Sequence, residues 1–151
     1  MELTGIREIT AHQIEVDKTQ IEERIFNIRG RQVMIDRDLA LLYGVETKRL
    51  NEQVKRNIER FPEDFMFQLT QEEGFSLISE DLKSQFATSS WGGTRKRPYA
   101  FTENGIAMLS GVLKSETAIK VNIKIMRTFT RMRHSLIYNK DLLERNGSGS
   151  R

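Results

Sequence analysis

The chain has 151 residues, 38% of them hydrophobic and 30% charged, with a formal net charge of +3 and no cysteine. This length suits one domain with an appended helix, and the composition is that of a soluble globular protein. Disulfides and thiolate metal sites are excluded, no run of about 18 apolar residues offers a membrane span, and the N-terminus lacks the basic start and apolar run of a secretory signal, so a cytoplasmic location is expected.

The charge is unevenly spread. Residues 1–23 carry six acids (Glu2, Glu8, Glu15, Asp17, Glu22, Glu23) against Arg7 and Lys18, a net of −4 that leaves +7 for the remainder. We read 1–23 as an acidic arm, weakly alternating, that leads into a helical turn. "RIFNIRGRQVMID" reads as a β-hairpin turning at Arg29-Gly30. Asp36 is placed as the N-cap of a helix over 37–43, with Asp38 in its first turn. Gly44 ends that helix, and a second runs from about 47 to 60 until Phe61-Pro62 stops it. "FMFQL" (65–69) is a short strand, and "TQEE" (70–73) matches a capping box that starts a helix to about Leu82. Residues 83–97, rich in Ser, Thr and Gly, form a loop. "PYAFT" (98–102) returns as a strand. Thr102 caps the next helix, and Ser115 caps the last and longest, over about 116–144. The ending 146–151 is linker-like or an expression-derived tail, after which the native protein can continue.

"LALLYGV" (39–45) and "IAMLSGV" (106–112) echo each other at an offset of 67, with Ala40/Ala107 and Gly44/Gly111 in register. Both are read as helix, glycine, helix; duplication and convergence on one pattern both remain open.

The stretch 37–57 has the spacing of a helix-turn-helix. Such a unit needs a small residue in its first helix, a residue tolerant of positive φ in its turn, and an apolar residue in its second helix. Ala40, Gly44 and Leu50 meet those needs. Leu50, Val54 and Ile58, followed by Phe61, form one buried stripe. Lys48, Arg49, Glu52, Gln53, Lys55, Arg56 and Arg60 then face outward. Lys48, Arg49, Asn51 and Gln53 are the candidates for base-edge contacts, being side-chain types suited to purine edges. Lys55 and Arg56, Arg29 and Arg31 at the hairpin tip, and Arg95, Lys96 and Arg97 beside Trp91 are the candidates for phosphate contacts. The pattern alone leaves a DNA reader and a core-filling hairpin with a solvated charged face both open.

On the last helix, Ala118, Asn122, Ile125, Phe129, Met132, Leu136, Asn139 and Leu143 follow one 3-4 spacing, and Lys120, Lys124, Arg127, Arg131 and His134 another. The first is either a homodimer seam or, better suited to 118–132, packing onto the chain's own core. The second reads as a solvated basic stripe, with contact to DNA as the lesser alternative. His12 and His134 are far apart, no HExxH, Walker-type or nucleophile-elbow pattern occurs, and the carboxylates are scattered without a paired nuclease-type cluster. No catalytic residue, cofactor or metal is expected.

The blocks "VMIDRDLALLYGVETKRLNEQVKRNIERFPEDFMFQLTQEE", "LKSQFATSS" and "PYAFTENGIAMLSGVLKSETAIKVNIKIMRTFTRMR", in that order, resemble the phage and bacterial ORF-six N-terminal domain, a relative of the KilA-N DNA-binding domains. The resemblance covers about 24–133. It implies a DNA-binding α+β domain, often at the front of antirepressor-like prophage proteins and often followed by a C-terminal effector domain, which is expected to be absent from these 151 residues. Where many relatives read "RRYLPY", this chain has "RKRPY".

The expected fold is thus α+β: a small hairpin-based sheet, a helix-turn-helix-like unit and a long C-terminal helix, with 134–145 as an extension of the 24–133 domain. The expected function is double-stranded DNA binding, sequence-specific or general, in a phage regulatory protein without enzymatic activity. The alternative is a protein-interaction module that binds a repressor or another regulator.

Overall fold

A two-residue turn starts the sheet. Arg29 and Gly30 take φ of +56° and +75°, the positive pair of a type I′ turn, whose twist matches that of the strands it joins. It pairs β1 (Phe26–Ile28) with β2 (Arg31–Ile35), Ile28 opposite Arg31. The computed structural model describes residues 18–80 and 97–149, with side chains at 20–77 and 97–135. The acidic arm up to residue 17 and the loop with Arg95 and Lys96 lie outside the described residues.

β4 (Tyr99–Thr102) lies antiparallel beside β2, and β3 (Met66–Gln68) antiparallel beside β4, so the four-stranded order is β1-β2-β4-β3. Alternation along the strands gives the sheet two apolar faces. Met34, Phe101 and Met66 look toward one core, shared with α1 (Lys18–Glu22), α2 (Asp36–Tyr43), α3 (Thr47–Arg56), α5 (Glu103–Leu113) and α6 (Glu116–Gly149). There Phe61 meets Phe101 edge-on, with centroids 5.9 Å apart. Val33, Ile35, Ala100 and Phe67 look the other way, where α4 (Gln71–Glu80) covers them with Leu77. The fold is α+β, a sheet between a thick helical layer and one helix.

Short-range signals set the helix starts. Thr70 and Glu73 form the capping box: the Thr70 Oγ1 accepts from the Glu73 N–H at 3.1 Å, and the Glu73 Oε1 from the Thr70 N–H at 2.8 Å. The Thr102 Oγ1 accepts from the Gly105 N–H at 3.5 Å, and the Ser115 Oγ from the Ala118 N–H at 3.0 Å.

Four local expectations are corrected. Asp36 is the first residue of α2 and not its N-cap, which is Ile35; its carboxylate is turned inward instead. The second helix ends at Arg56, where Asn57 takes φ −124° and a 3-10 turn (Ile58–Arg60) follows. That change of pitch rotates Ile58 outward to 52% exposure, and Phe61 continues the buried stripe. The echo of the two glycines also fails. Gly44 ends α2 at φ +75°, whereas Gly111 lies within α5 and the chain turns at Lys114, φ +53°. Finally, α6 runs to Gly149, beyond the expected end at 144 and into the tail read as linker.

The front of the α6 seam belongs to the chain's own core: Ala118, Asn122, Ile125 and Phe129 are buried. A buried polar knot fixes this helix. The Tyr43 hydroxyl donates to the Asn122 Oδ1, and the Asn122 Nδ2 donates to the Ile106 carbonyl at 2.6 Å. One side chain thereby ties α2, α5 and α6. Burial pushes the Tyr43 hydroxyl pKa far up, so it stays a donor.

Candidate nucleic-acid interface

The helix-turn-helix forms as its small residues direct. Gly44 sits in the left-handed region, and the Val45 N–H donates back to the Ala40 carbonyl at 3.0 Å, which closes the end of α2. Ala40, Leu50 and Val54 are buried where α2 and α3 meet the rest of the core. Burying Leu50 and Val54 determines what the other side of α3 must show. Lys48, Arg49, Glu52, Lys55 and Arg56 are exposed there.

The start of α3 is electrostatically unusual. A helix N-terminus carries partial positive charge and favours acids in its first turn. Among the described helices of eight residues or more, α2 begins with Asp36 and Asp38, α4 with Glu72 and Glu73, α5 with Glu103 and α6 with Glu116. α3 has no acid in its first turn and no side-chain cap; it begins Thr47-Lys48-Arg49. Lys48 and Arg49 are exposed at this pole, where the N-cap residue Glu46 makes no side-chain cap hydrogen bond, and a helix N-terminus flanked by cations favours anions. Lys55 and Arg56, in the last turn, suit the opposite pole and have a structural reason to be there as well.

One expected contact is used internally. Asn51 is half-buried, and its Nδ2 donates to the Asp36 Oδ2 at 2.9 Å. Asp36 also accepts from the Arg37 N–H at 2.7 Å and from the Tyr99 N–H at 3.4 Å. Burial raises the Asp36 pKa, while the hydrogen bonds from Asn51, Tyr99 and Arg37 pull the other way. The pair therefore anchors α3 to the start of α2 and to β4. Asn51 is better described as a support than as a reader. Gln53 is half-buried, and its backbone carbonyl accepts from the Asn57 side chain at 2.9 Å.

At the hairpin tip, Arg29 is exposed but engaged. Its Nε and Nη2 donate to Glu73 at 2.8 and 2.9 Å, and its guanidinium lies 4.2 Å from the Phe67 ring centroid. It closes the edge of the second core, and its charge is paired within the fold. Arg31 is exposed. Arg97 is also exposed and donates to the Gln68 Oε1 at 3.3 Å. The hydrogen bonds from Arg29 hold the Glu73 carboxyl down at about 2. A lowered carboxylate stabilises the fold above its ordinary range, and the contribution is lost as pH falls through that range toward the folded value. Glu73→Gln is thus expected to flatten the acid limb of stability between about pH 4.5 and 2, checked by urea melts across that window.

Sequence reasoning missed the inward role of Asp36. A buried acid at the first position of a helix has the same local signature as a cap, and its partner Asn51 is 15 residues away. The missing first-turn acid of α3 was legible but went unused.

Among the described residues, no group of three or more His, Asp or Glu gathers as metal ligands, and no helix is long and apolar enough to cross a membrane. No curated protein and no solved structure matches the chain. The family model of the ORF6N domain matches residues 23–112, more than half of the chain, from just before the hairpin almost to the end of α5. The chain belongs to the ORF6N domain family, and this family suggests a phage-type regulatory protein.

Proposed function

We propose that the domain binds double-stranded DNA through the outer face of α3, as part of a phage-type, antirepressor-like regulator, and that its role is binding and not catalysis. The observation that carries this reading is the exposed cationic start of α3 on a helix-turn-helix, where local helix energetics would favour acids. Lys48 and Arg49 are assigned to base edges or nearby phosphates. Lys55, Arg56 and Arg31 are assigned to phosphates, together with Arg97 and with Arg95 and Lys96, which lie outside the described residues. Asn51 and Asp36 hold α3 in place.

The test is a titration of the intact chain against random-sequence duplex at several salt concentrations. Each phosphate neutralised adds about −0.9 to the slope of log affinity against log salt. Contacts from Lys48, Arg49, Lys55, Arg56 and Arg31 would give a slope of roughly −4 to −5. Absence of duplex binding at low salt would sink this reading and leave the protein-interaction module, tested by co-elution with a protein partner instead of DNA.

A further inference from the structure

The last helix carries a second cationic surface, outside the span of the family match. From Thr117 to Ser135, α6 contains Lys120, Lys124, Arg127, Arg131 and Arg133 and no acid. Arg133 is paired with Glu103 on α5. The other four, with His134, are exposed. At about 100° per residue they fall within an arc of roughly 80°, clear of the buried Ala118, Asn122, Ile125 and Phe129. At about 1.5 Å per residue, the cations from Lys120 to Arg131 form a line roughly 16 Å long. Arg131 uses one nitrogen to donate to the Thr128 Oγ1 at 3.2 Å, which orders its side chain beside the helix.

This line is unfavourable for the helix by itself. Lys120 and Lys124, Lys124 and Arg127, and Arg127 and Arg131 are successive i, i+4 or i, i+3 neighbours of like charge, which disfavours the helix. Acids interspersed on this face would relieve the repulsion, and residues 117–135 of the helix contain none. An external line of anions would relieve it equally. Lysine is depleted from protein–protein interfaces, whereas nucleic-acid interfaces are much more positively charged. A phosphate backbone therefore fits the stripe better than an acidic protein surface does.

We propose that the Lys120–Lys124–Arg127–Arg131 face of α6 is a second phosphate-contacting surface for duplex DNA. It rests on the reading of the domain as a DNA binder and adds contacts that the helix-turn-helix does not make. The experiment compares fluorescence anisotropy of labelled random-sequence duplex across a salt series for the intact chain, for the combined variant Lys120→Gln, Lys124→Gln, Arg127→Gln and Arg131→Gln, and for the α3 variant Lys48→Glu with Arg49→Glu. The expected result is a salt slope shallower by about 3 to 4 for the α6 variant, with affinity at 0.1 M salt lowered by roughly tenfold or more. Circular dichroism checks the fold. Should the combined variant fail to fold, the pair Arg127→Gln and Arg131→Gln should reduce the slope by about 2. An unchanged slope and affinity in the α6 variants overturns the proposal and leaves the stripe to an acidic protein partner, even if the α3 variant loses binding. The converse, loss in the α6 variants with α3 neutral, upholds the proposal and instead defeats the assignment to α3. No duplex binding by the intact chain overturns both.

Discussion

Gly105→Ala is expected to destabilise the domain by about 3 kcal/mol or more, the upper part of the range for overpacking, and to lower its Tm by roughly 10 °C. Gly105 sits in the first turn of α5, packed against the backbone of Phe65. An added Cβ would lie 2.9 Å from the Phe65 carbonyl carbon and closer still to its oxygen. That carbonyl is not free to withdraw, because it accepts from the Thr102 N–H at 2.9 Å. The Thr102 hydroxyl also donates to the Asp64 carbonyl at 2.9 Å. The corner where β4 passes into α5 is thus held on both sides, and a methyl group there has no flexible neighbour to displace. Gly111→Ala is the matched control. It lies on the exposed side of the same helix with nothing within 4 Å of the new Cβ, so it should be neutral or stabilise by about 0.5–1 kcal/mol. Thermal melts of the two variants side by side provide the check. A Gly105→Ala protein as stable as its parent would refute the close approach.

Lys48→Glu combined with Arg49→Glu is expected to reduce duplex affinity about 100-fold or more, since each lost contact is worth about 1–3 kcal/mol and the new acids repel phosphate. Its effect on folding should have the opposite sign. Both positions are exposed, and acids in a first turn favour the helix by about 0.3–1 kcal/mol. Binding should collapse while Tm holds or rises slightly. Gel shift and thermal melt on one preparation separate this from simple unfolding. Loss of binding together with a lowered Tm would count against a role at the DNA surface, and unchanged affinity would remove α3 from it.

Much of the fold was legible because its signals act over a few residues. The Arg29-Gly30 turn, the Gly44 stop, the Thr70–Glu73 box and the Thr102 and Ser115 caps each depend on atoms within about one helical turn. What was hidden depends on distant partners. Nothing near Arg29 announces Glu73, 44 residues on, so an exposed arginine at a turn read as a free cation. Nothing near Asp36 announces Asn51. The end of α3 was hidden for a different reason: Leu50, Val54 and Ile58 keep perfect helical spacing, and only the backbone of Asn57 breaks the phase. The Gly111 echo misled because a glycine stripped of context cannot say whether its φ is positive. The exposed face of the candidate site was legible at Lys48, Arg49, Lys55 and Arg56, whose exposure follows from the opposite stripe being buried, and less so wherever a side chain had an inward alternative.

The hydrogen-bonded Tyr43–Asn122–Ile106 knot acts on α6 as a detent acts on a shaft. Apolar contacts alone would let a long helix settle into neighbouring positions at small cost, whereas a buried polar contact is satisfied in one setting only. A slip of one residue would rotate the helix by about 100°, enough to turn the Lys120–Arg131 line onto a different side of the protein. The polar knot therefore does more than hold three helices together: it sets the azimuth at which the emerging helix presents its charge.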